Sequence, residues 1–489
     1  MILTLILIPF FTGAVSFFIR RDVIRRGVLL FSAAFHLGLT VCAGIIKPQP
    51  IFGGWFALDS LGILFLGITT LLFSGAAVYG IAYLTQEKQQ ARNTEREGIL
   101  FYNVPEAVFS GCLLLFLGTM TTAILSQHFA VFWAAMEATT LVSAPLIYFH
   151  RHQRSLEAAW KYLLICSVGI ALALLGTLFL AVAGLKSPGI LLLKDLIAKA
   201  PLMDIPWLQA AFLFLFVGYG TKMGLAPLHT WLPDAHSEAP SIVSALLSGA
   251  LLNCAFLGIL RVYLVCISAG LQSFCQEIFI LFGLLSILFA AFFILGQTDY
   301  KRMLAYSSIE HMGVLALGTG LGAQALFGVL LNTICHSLTK AGLFFIAGNI
   351  LAYYRTKSIA DAQGILKEMR WSGALWLGGF FLITGTPPSG IFLSKFIILK
   401  SAVEQGHYWI SFLFIMALAV IFIGMARIFI PMAYGTAEER VPGQKQRKDT
   451  ALTIVPSLTF FALVIILGLY LPKGLTRILN DAVKMFGGF

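Results

Sequence analysis

Long apolar runs recur from one end of the sequence to the other, and they leave few folds open. About fourteen such segments occur, at 1–19, 27–46, 58–84, 104–126, 128–149, 158–184, 207–226, 241–267, 276–296, 303–320, 324–352, 372–400, 407–433 and 451–471. A run of about 18 or more apolar residues spans a bilayer as a helix. Bilayers admit only helices and closed barrels, because no water is present to satisfy stray backbone groups. The runs are too long for barrel strands, so they predict an all-α polytopic membrane protein. Of the 489 residues 59% are hydrophobic and 11% charged, which is too little charge to coat a soluble protein of this length. The first segment opens Met1-Ile2-Leu3 without a basic leader or a small-residue cleavage site. It reads as a spanning helix and not as a removed signal peptide.

Two function classes drop out on composition. The seven cysteines, Cys42, Cys112, Cys166, Cys254, Cys266, Cys275 and Cys335, are scattered and form no CxxC pair. No iron–sulfur, zinc or disulfide framework is expected, and no HExxH motif occurs. The net charge of +11 does not point to nucleic acid, because the basic residues fall in alternate loops. Arg20, Arg21, Arg25 and Arg26 follow the first segment. Later loops of the same set hold Lys88, Arg92 and Arg96, then Arg151 and Arg154, Lys301 and Arg302, Arg355, Lys357, Lys367 and Arg370, and Arg440, Lys445, Arg447 and Lys448. The opposite set holds Lys47, then Lys186, Lys194 and Lys199, then Lys473, Arg477 and Lys484. The positive-inside rule makes the first set cytoplasmic and puts both termini outside.

Two segments carry interruptions. The seventh contains Gly218, Gly220 and Gly224 and runs into Pro227. The twelfth contains Thr384-Gly385-Thr386-Pro387-Pro388-Ser389-Gly390. Proline removes a backbone donor and clashes with the preceding turn, so both helices are expected to break. Five segments separate the breaks, an odd number, so segments 4–8 and 9–13 run in opposite senses. That pattern predicts two inverted five-helix repeats with function near the broken helices. The expected divisions are 1–103 for segments one to three, 104–268 and 269–433 for the repeats, and 434–489 for a cytoplasmic loop and segment fourteen.

Charges inside a bilayer are costly and each asks for a reason. Glu137 lies mid-segment five and Lys222 beside the break in segment seven. Glu310 and His311 lie in segment ten, His336 and Lys340 one turn apart in segment eleven, and Lys395 after the break in segment twelve. Each repeat thus holds a carboxylate in its second helix and a lysine in its fourth. Buried lysines paired with carboxylates, with histidines between them, are suited to passing protons at neutral pH. A structural reading competes for each: an ion pair that locks two helices, or a histidine bonded to a neighbour. Lys400 and Arg427 are placed to snorkel, Asp59 to cap segment three, and Lys161 to anchor or gate the cytoplasmic face. The linker His229-Thr230-Trp231-Leu232-Pro233-Asp234-Ala235-His236-Ser237-Glu238 holds His229, Asp234, His236 and Glu238 on that same face. Its acids would cap the next helix, and its histidines would feed protons inward.

The stretch from Lys222 to Ser248, with HTWLPDAHSEAPSIVSALLSG, resembles the antiporter-like membrane subunits of respiratory complex I, of multisubunit cation/proton antiporters and of membrane-bound group 4 nickel–iron hydrogenases. The string Tyr306-Ser307-Ser308-Ile309-Glu310-His311-Met312-Gly313 is most similar to the F subunit of hydrogenase-4 and formate-hydrogenlyase-type complexes. The resemblance implies a proton-translocating subunit of a redox-driven complex in the cytoplasmic membrane. The alternative it leaves is a subunit of a Na⁺/H⁺ antiporter. It implies that Glu137, Lys222, His336, Lys340 and Lys395 are proton-transfer residues. It also implies antiporter-like and quinone-site partner subunits, and a peripheral arm carrying the nickel–iron centre and iron–sulfur clusters, with no cofactor in this chain. Relatives commonly carry Lys or His in helix eight. Here Asn253 stands at that place, which puts a gap in the expected route.

Overall fold

A computed structural model describes residues 1–96, 103–184, 191–436 and 449–487. The side chains of Lys88, Arg92 and Arg96, and all of Lys186, Arg440, Lys445, Arg447 and Lys448, lie outside the described residues.

The chain is helical almost throughout, and extended residues pair only as isolated bridges among the described residues, such as Ile51 with Phe56. In order the helices are α1 (Ile2–Phe18), α2 (Asp22–Ile46), α3 (Ser60–Arg96), α4 (Glu106–Leu125), α5 (Phe129–Ile147), α6 (Gln153–Ala183) and the short α7 (Leu193–Lys199). Then come α8 (Ile205–Met223), α9 (Trp231–Glu238), α10 (Ser241–Leu246), a π-helical turn at Leu247–Leu251, α11 (Leu252–Ser268), α12 (Gln272–Ile294), α13 (Tyr300–Gly320) and α14 (Ala323–Tyr354). The chain finishes with α15 (Ile365–Glu368), α16 (Arg370–Thr384), α17 (Gly390–Glu404), α18 (Tyr408–Tyr434), α19 (Ala451–Leu469) and α20 (Lys473–Lys484). Among the described residues, 10 helical stretches are long and apolar enough to cross a membrane, with Ile2–Phe18 shorter but apolar.

Burial sorts these helices. The most apolar stretch of α14 is 100% buried within the chain and that of α10–α11 is 94% buried, whereas that of α12 is 39% buried. The core therefore sits on α10–α11, α13 and α14, and helices such as α12 and α18 form the more exposed rim. Small residues let backbones meet closely. A Cβ on Gly218 of α8 would lie 2.5 Å from the Gly169 carbonyl oxygen of α6. Such small-residue seams replace the hydrophobic drive that lipid cannot supply.

Both expected interruptions are present. Helix α8 stops at Gly224 and α16 at Gly385, each with φ +83°, a conformation that favours glycine. Pro227 lies in the first break, and Pro387 and Pro388 in the second. The exposed ends find protein partners: Trp231 Nε1 donates to the Thr221 carbonyl at 2.8 Å, and Ser389 Oγ accepts from Phe392 N at 3.1 Å. This is the condition for broken backbone at membrane depth.

One expectation is corrected here. His229–Glu238 is not an open linker, since Trp231–Glu238 forms helix α9. Pro233 falls in its first turn, where a missing N–H leaves no bond unmade. Asp234 and Glu238 do not cap the next helix, because α10 has no side-chain cap bond.

Candidate functional site

The second broken helix brings four of the sequence-selected residues into one buried line. Lys395 on α17 pairs with Glu310 on α13 at 2.8 Å. The Glu310 carboxylate also lies 3.4 Å from His311 Nε2, and that nitrogen meets the Ile383 carbonyl oxygen, at the end of α16, at 3.2 Å. The rings of His311 and His336 stand 4.6 Å apart, centre to centre. Neither nitrogen of His336 has a hydrogen-bond partner among the described residues. Lys340, one turn beyond His336 on α14, donates to the Leu304 carbonyl and the Ser307 hydroxyl of α13. Glu310, His311, His336 and Lys340 are essentially inaccessible, and Lys395 is 6% exposed.

The first broken helix is arranged differently. Lys222 is fully buried and donates to the Met136 carbonyl and the Thr140 hydroxyl of α5. Glu137, the neighbour of Met136, does not form an ion pair with it. Its Oε1 accepts from Ser167 of α6 at 3.0 Å, and its Oε2 is buried without a hydrogen-bond partner among the described residues. The two lysines also occupy different sides of their breaks: Lys222 precedes Gly224 on the first half-helix, and Lys395 follows Gly385 on the second.

Between these regions lies Asn253, at the start of α11 beside the π-helical turn. Its amide nitrogen donates to the Gly249 carbonyl and to Ser337 Oγ, both at 2.7 Å. Ser337 neighbours His336 on α14, and Ser248 joins Ser308 at 2.8 Å. Hydroxyls and an amide thus bridge the place where a titratable group was expected.

The residues selected for the expected cytoplasmic face divide into acids that are paired and histidines that are not. Lys161 pairs with Glu157 at 2.6 Å and with Asp234 at 3.1 Å, and Arg302 meets Asp234 at 3.1 Å. Glu238 pairs with Lys357 at 2.6 Å and lies 3.6 Å from His152. Outside the helices, burial lowers the pKa of His152, and the Glu238 carboxylate opposes that shift. Burial pushes His150 down to about 3, with Lys301, His152 and Lys357 adding to the effect. His229 is 5% exposed, His236 is fully buried, and His229 Nδ1 and both nitrogens of His236 lack partners among the described residues. Asp59 accepts from Gly62 N at 2.6 Å, so it caps α3, and it also meets Arg261 at 3.4 Å. Lys400 and Arg427 are exposed.

Several participants were not anticipated. Asn332 lies 3.5 Å from His311 Nδ1 and accepts from Ser394 at 3.1 Å. Its signal was available, because Asn332, His336 and Lys340 follow one another at four-residue spacing on a single helix face. Lys301 had been grouped with the loop charges yet is 1% exposed. Arg261 and His36 are also buried, the latter between Thr70 at 3.0 Å and Thr121 at 3.1 Å. No group of three or more His, Cys, Asp or Glu placed to hold a metal occurs among the described residues.

Residues 126–421 match the family described as NADH:quinone oxidoreductase/Mrp antiporter, transmembrane region. The chain belongs to this family. It is an antiporter-like membrane subunit of the kind found in complex I and hydrogenase-4-type assemblies. The chain is 36% identical over 364 residues to a hydrogenase-4 component F homologue of Methylacidiphilum infernorum, covering 73% of this chain and 74% of that protein. It is 29% identical over 448 residues to NADH-quinone oxidoreductase subunit N of Desulforudis audaxviator, covering 89% and 84%. A chain of the membrane-bound sulfane sulfur reductase, an archaeal respiratory membrane complex, superposes with TM-score 0.86 at 22% identity, covering 100% of this chain and 98% of that one. At that identity the likeness speaks for the fold.

Proposed function

We propose that this antiporter-like subunit moves protons through the bilayer for a membrane-bound, redox-driven complex of the hydrogenase or dehydrogenase type. The observation that carries the reading is the buried line Lys395, Glu310, His311 and His336, joined by contacts of 2.8 and 3.4 Å and a ring separation of 4.6 Å, with Lys340 one turn beyond His336 on α14. Acid, imidazole and amine groups in sequence exchange protons at neutral pH without any redox centre of their own. Glu137 and Lys222 form the corresponding station of the first half, and Asn253 with Ser337 connects the two. Asp234, Glu238, Lys161, His229 and His236 form the cytoplasmic inlet.

In this reading fourteen helices cross the membrane, with α8–α9 and α16–α17 each counted as one broken helix and α10–α11 as one span. Residues 104–268 and 269–433 are inverted repeats, flanked by 1–103 and 434–489. The matching glycine-ended breaks support that layout. Both termini lie outside the cytoplasmic membrane. Antiporter-like and quinone-site subunits flank the chain, and a peripheral arm holds the nickel–iron centre and iron–sulfur clusters.

The test uses inside-out membrane vesicles carrying the complete complex, with electron transfer and dye-reported acidification measured side by side. Lys340→Met and Lys222→Met should each abolish acidification with assembly intact, and normal acidification in both would sink the proposal. The family description includes Mrp antiporters. Acidification that depends on Na⁺ and persists without electron transfer would select the ion-gradient-driven antiporter instead.

A further inference from the structure

Lys301 is the second residue of α13, and sequence order groups it with Arg302 as a loop charge. Arg302 does reach outward to Asp234. Lys301 turns the other way. It is 1% exposed, and its ammonium donates to the Ala239 carbonyl at 2.6 Å, just beyond the end of α9. It makes no ion pair among the described residues. The nearby carboxylates are occupied elsewhere, since Glu238 pairs with Lys357 at 2.6 Å and Asp299 meets the same lysine at 4.0 Å. A buried ammonium bound only to a neutral carbonyl is costly to keep.

Its surroundings give that cost a purpose. The charged and titratable groups around Lys301 are Glu238 and His236 of α9, Asp299 at the head of α13, Lys357 beyond α14, and His150 before α6. His236 is fully buried, and both of its ring nitrogens lack partners among the described residues. It sits three residues before Ala239, whose carbonyl receives Lys301, and its ring lies 5.5 Å from that of Phe344, one turn beyond Lys340 on α14. The lysine therefore stands between the solvent-reaching pair of Lys357 and Glu238 and a buried imidazole with both nitrogens free.

We propose that Lys301 is a proton carrier at the cytoplasmic end of the route, passing protons from the Glu238–Lys357–His152 cluster to His236 and so to Lys340. No hydrogen bond joins the two directly among the described residues, so in the step one N–H bond of the Lys301 ammonium breaks toward an intervening water, which in turn gives a proton to a free imidazole nitrogen of His236. The imidazolium releases a proton from its other nitrogen toward Lys340, and Lys301 is reprotonated from the cluster. Protons and charge balance at every transfer, and no electron moves. This rests on the proton-translocating reading above.

The competing role is structural, with Lys301 serving as a fixed cation on the last carbonyl of α9. Arginine separates the two. It keeps the positive charge and a donor for Ala239, and it does not deprotonate in a protein. In vesicles carrying the complete complex, Lys301→Met and Lys301→Arg should both lower acidification by about a hundredfold or more, the low end for a positioned proton donor. Assembly, followed on native gels, and electron transfer per complex should be retained in Lys301→Arg. Restoration of acidification by arginine would overturn the proposal in favour of the structural role, and so would normal acidification in Lys301→Met while Lys340→Met is dead. If Lys301→Met does not assemble, Lys301→Arg decides alone. Normal acidification in Lys340→Met as well would remove the proton-translocating reading itself, and this proposal with it.

Discussion

Three of the four buried lysines among the described residues, Lys222, Lys340 and Lys395, are held in two ways. Lys222 and Lys340 each rest on a backbone carbonyl and a hydroxyl of one neighbouring helix, Met136 with Thr140 on α5 and Leu304 with Ser307 on α13. Lys395 rests on a carboxylate, Glu310, at 2.8 Å. The first region keeps its carboxylate and its lysine apart, with Glu137 turned to Ser167. The second holds one lysine apart from the acid and one against it. By manner of holding, the partner of Lys222 is Lys340, and Lys395 is an addition. The difference bears on energetics. An ion pair in a low-dielectric interior compensates both charges, whereas an ammonium on neutral oxygens depends on hydrogen bonds alone.

The comparison predicts unequal responses to two equivalent substitutions. Glu310→Gln strips Lys395 of its counter-charge and leaves a buried ammonium uncompensated, so it should lower stability by about 3–5 kcal/mol. Glu137→Gln keeps an oxygen for Ser167 and removes no ion pair, so its stability change should stay within about 1 kcal/mol. Thermal unfolding of the detergent-purified complex, followed at this subunit, reads both, and equal losses would erase the distinction. Adding Lys395→Met to Glu310→Gln should recover most of the lost stability while acidification stays absent.

Much of this was legible in the sequence. The apolar runs dictate a helical membrane protein, and the glycine and proline clusters locate both breaks. The rarity of intramembrane charge picks out Glu137, Lys222, Glu310, His311, His336, Lys340 and Lys395. Pairing was not legible. Which oxygen meets Lys222 depends on the rotation of α5 against α8, and one residue of rotation separates Met136 from Glu137. Helix α9 was hidden because Pro233 and three titratable side chains resemble a loop, and only the first-turn position of the proline reconciles them with a helix. Lys301 was hidden because sequence order cannot tell a charge that reaches out from one that folds back onto Ala239.

A smaller effect tests the glycine-ended breaks. Gly224 and Gly385 share φ +83°, where a Cβ costs about 1–2 kcal/mol. Gly224→Ala adds a collision with the Leu232 side chain, whereas Gly385→Ala meets nothing nearer than 3.4 Å. Both variants should be destabilised in the same unfolding assay, Gly224→Ala the more. The reverse order would mean that the first break yields more easily than the second.

The smallest stability effect, and the most informative about how the two regions communicate, is expected at Asn253. Its amide nitrogen bonds Gly249 and Ser337, and its Oδ1 is buried without a partner among the described residues. Asn253→Leu removes one donor group and one already unsatisfied acceptor, so the net cost should be about 1 kcal/mol or less. Its consequence for transport depends on whether the two halves act as one route. If protons or their charge influence pass from Lys222 to His336 through Asn253 and Ser337, leucine should cut acidification several-fold while Lys395–Glu310 stays intact and the complex stays assembled. Asn253→His, which restores a titratable group with similar reach, should then recover it. If leucine leaves acidification unchanged, the regions are two separate stations, and Lys222 must be coupled to Lys340 by motion of the broken helices instead of by a chain of polar side chains.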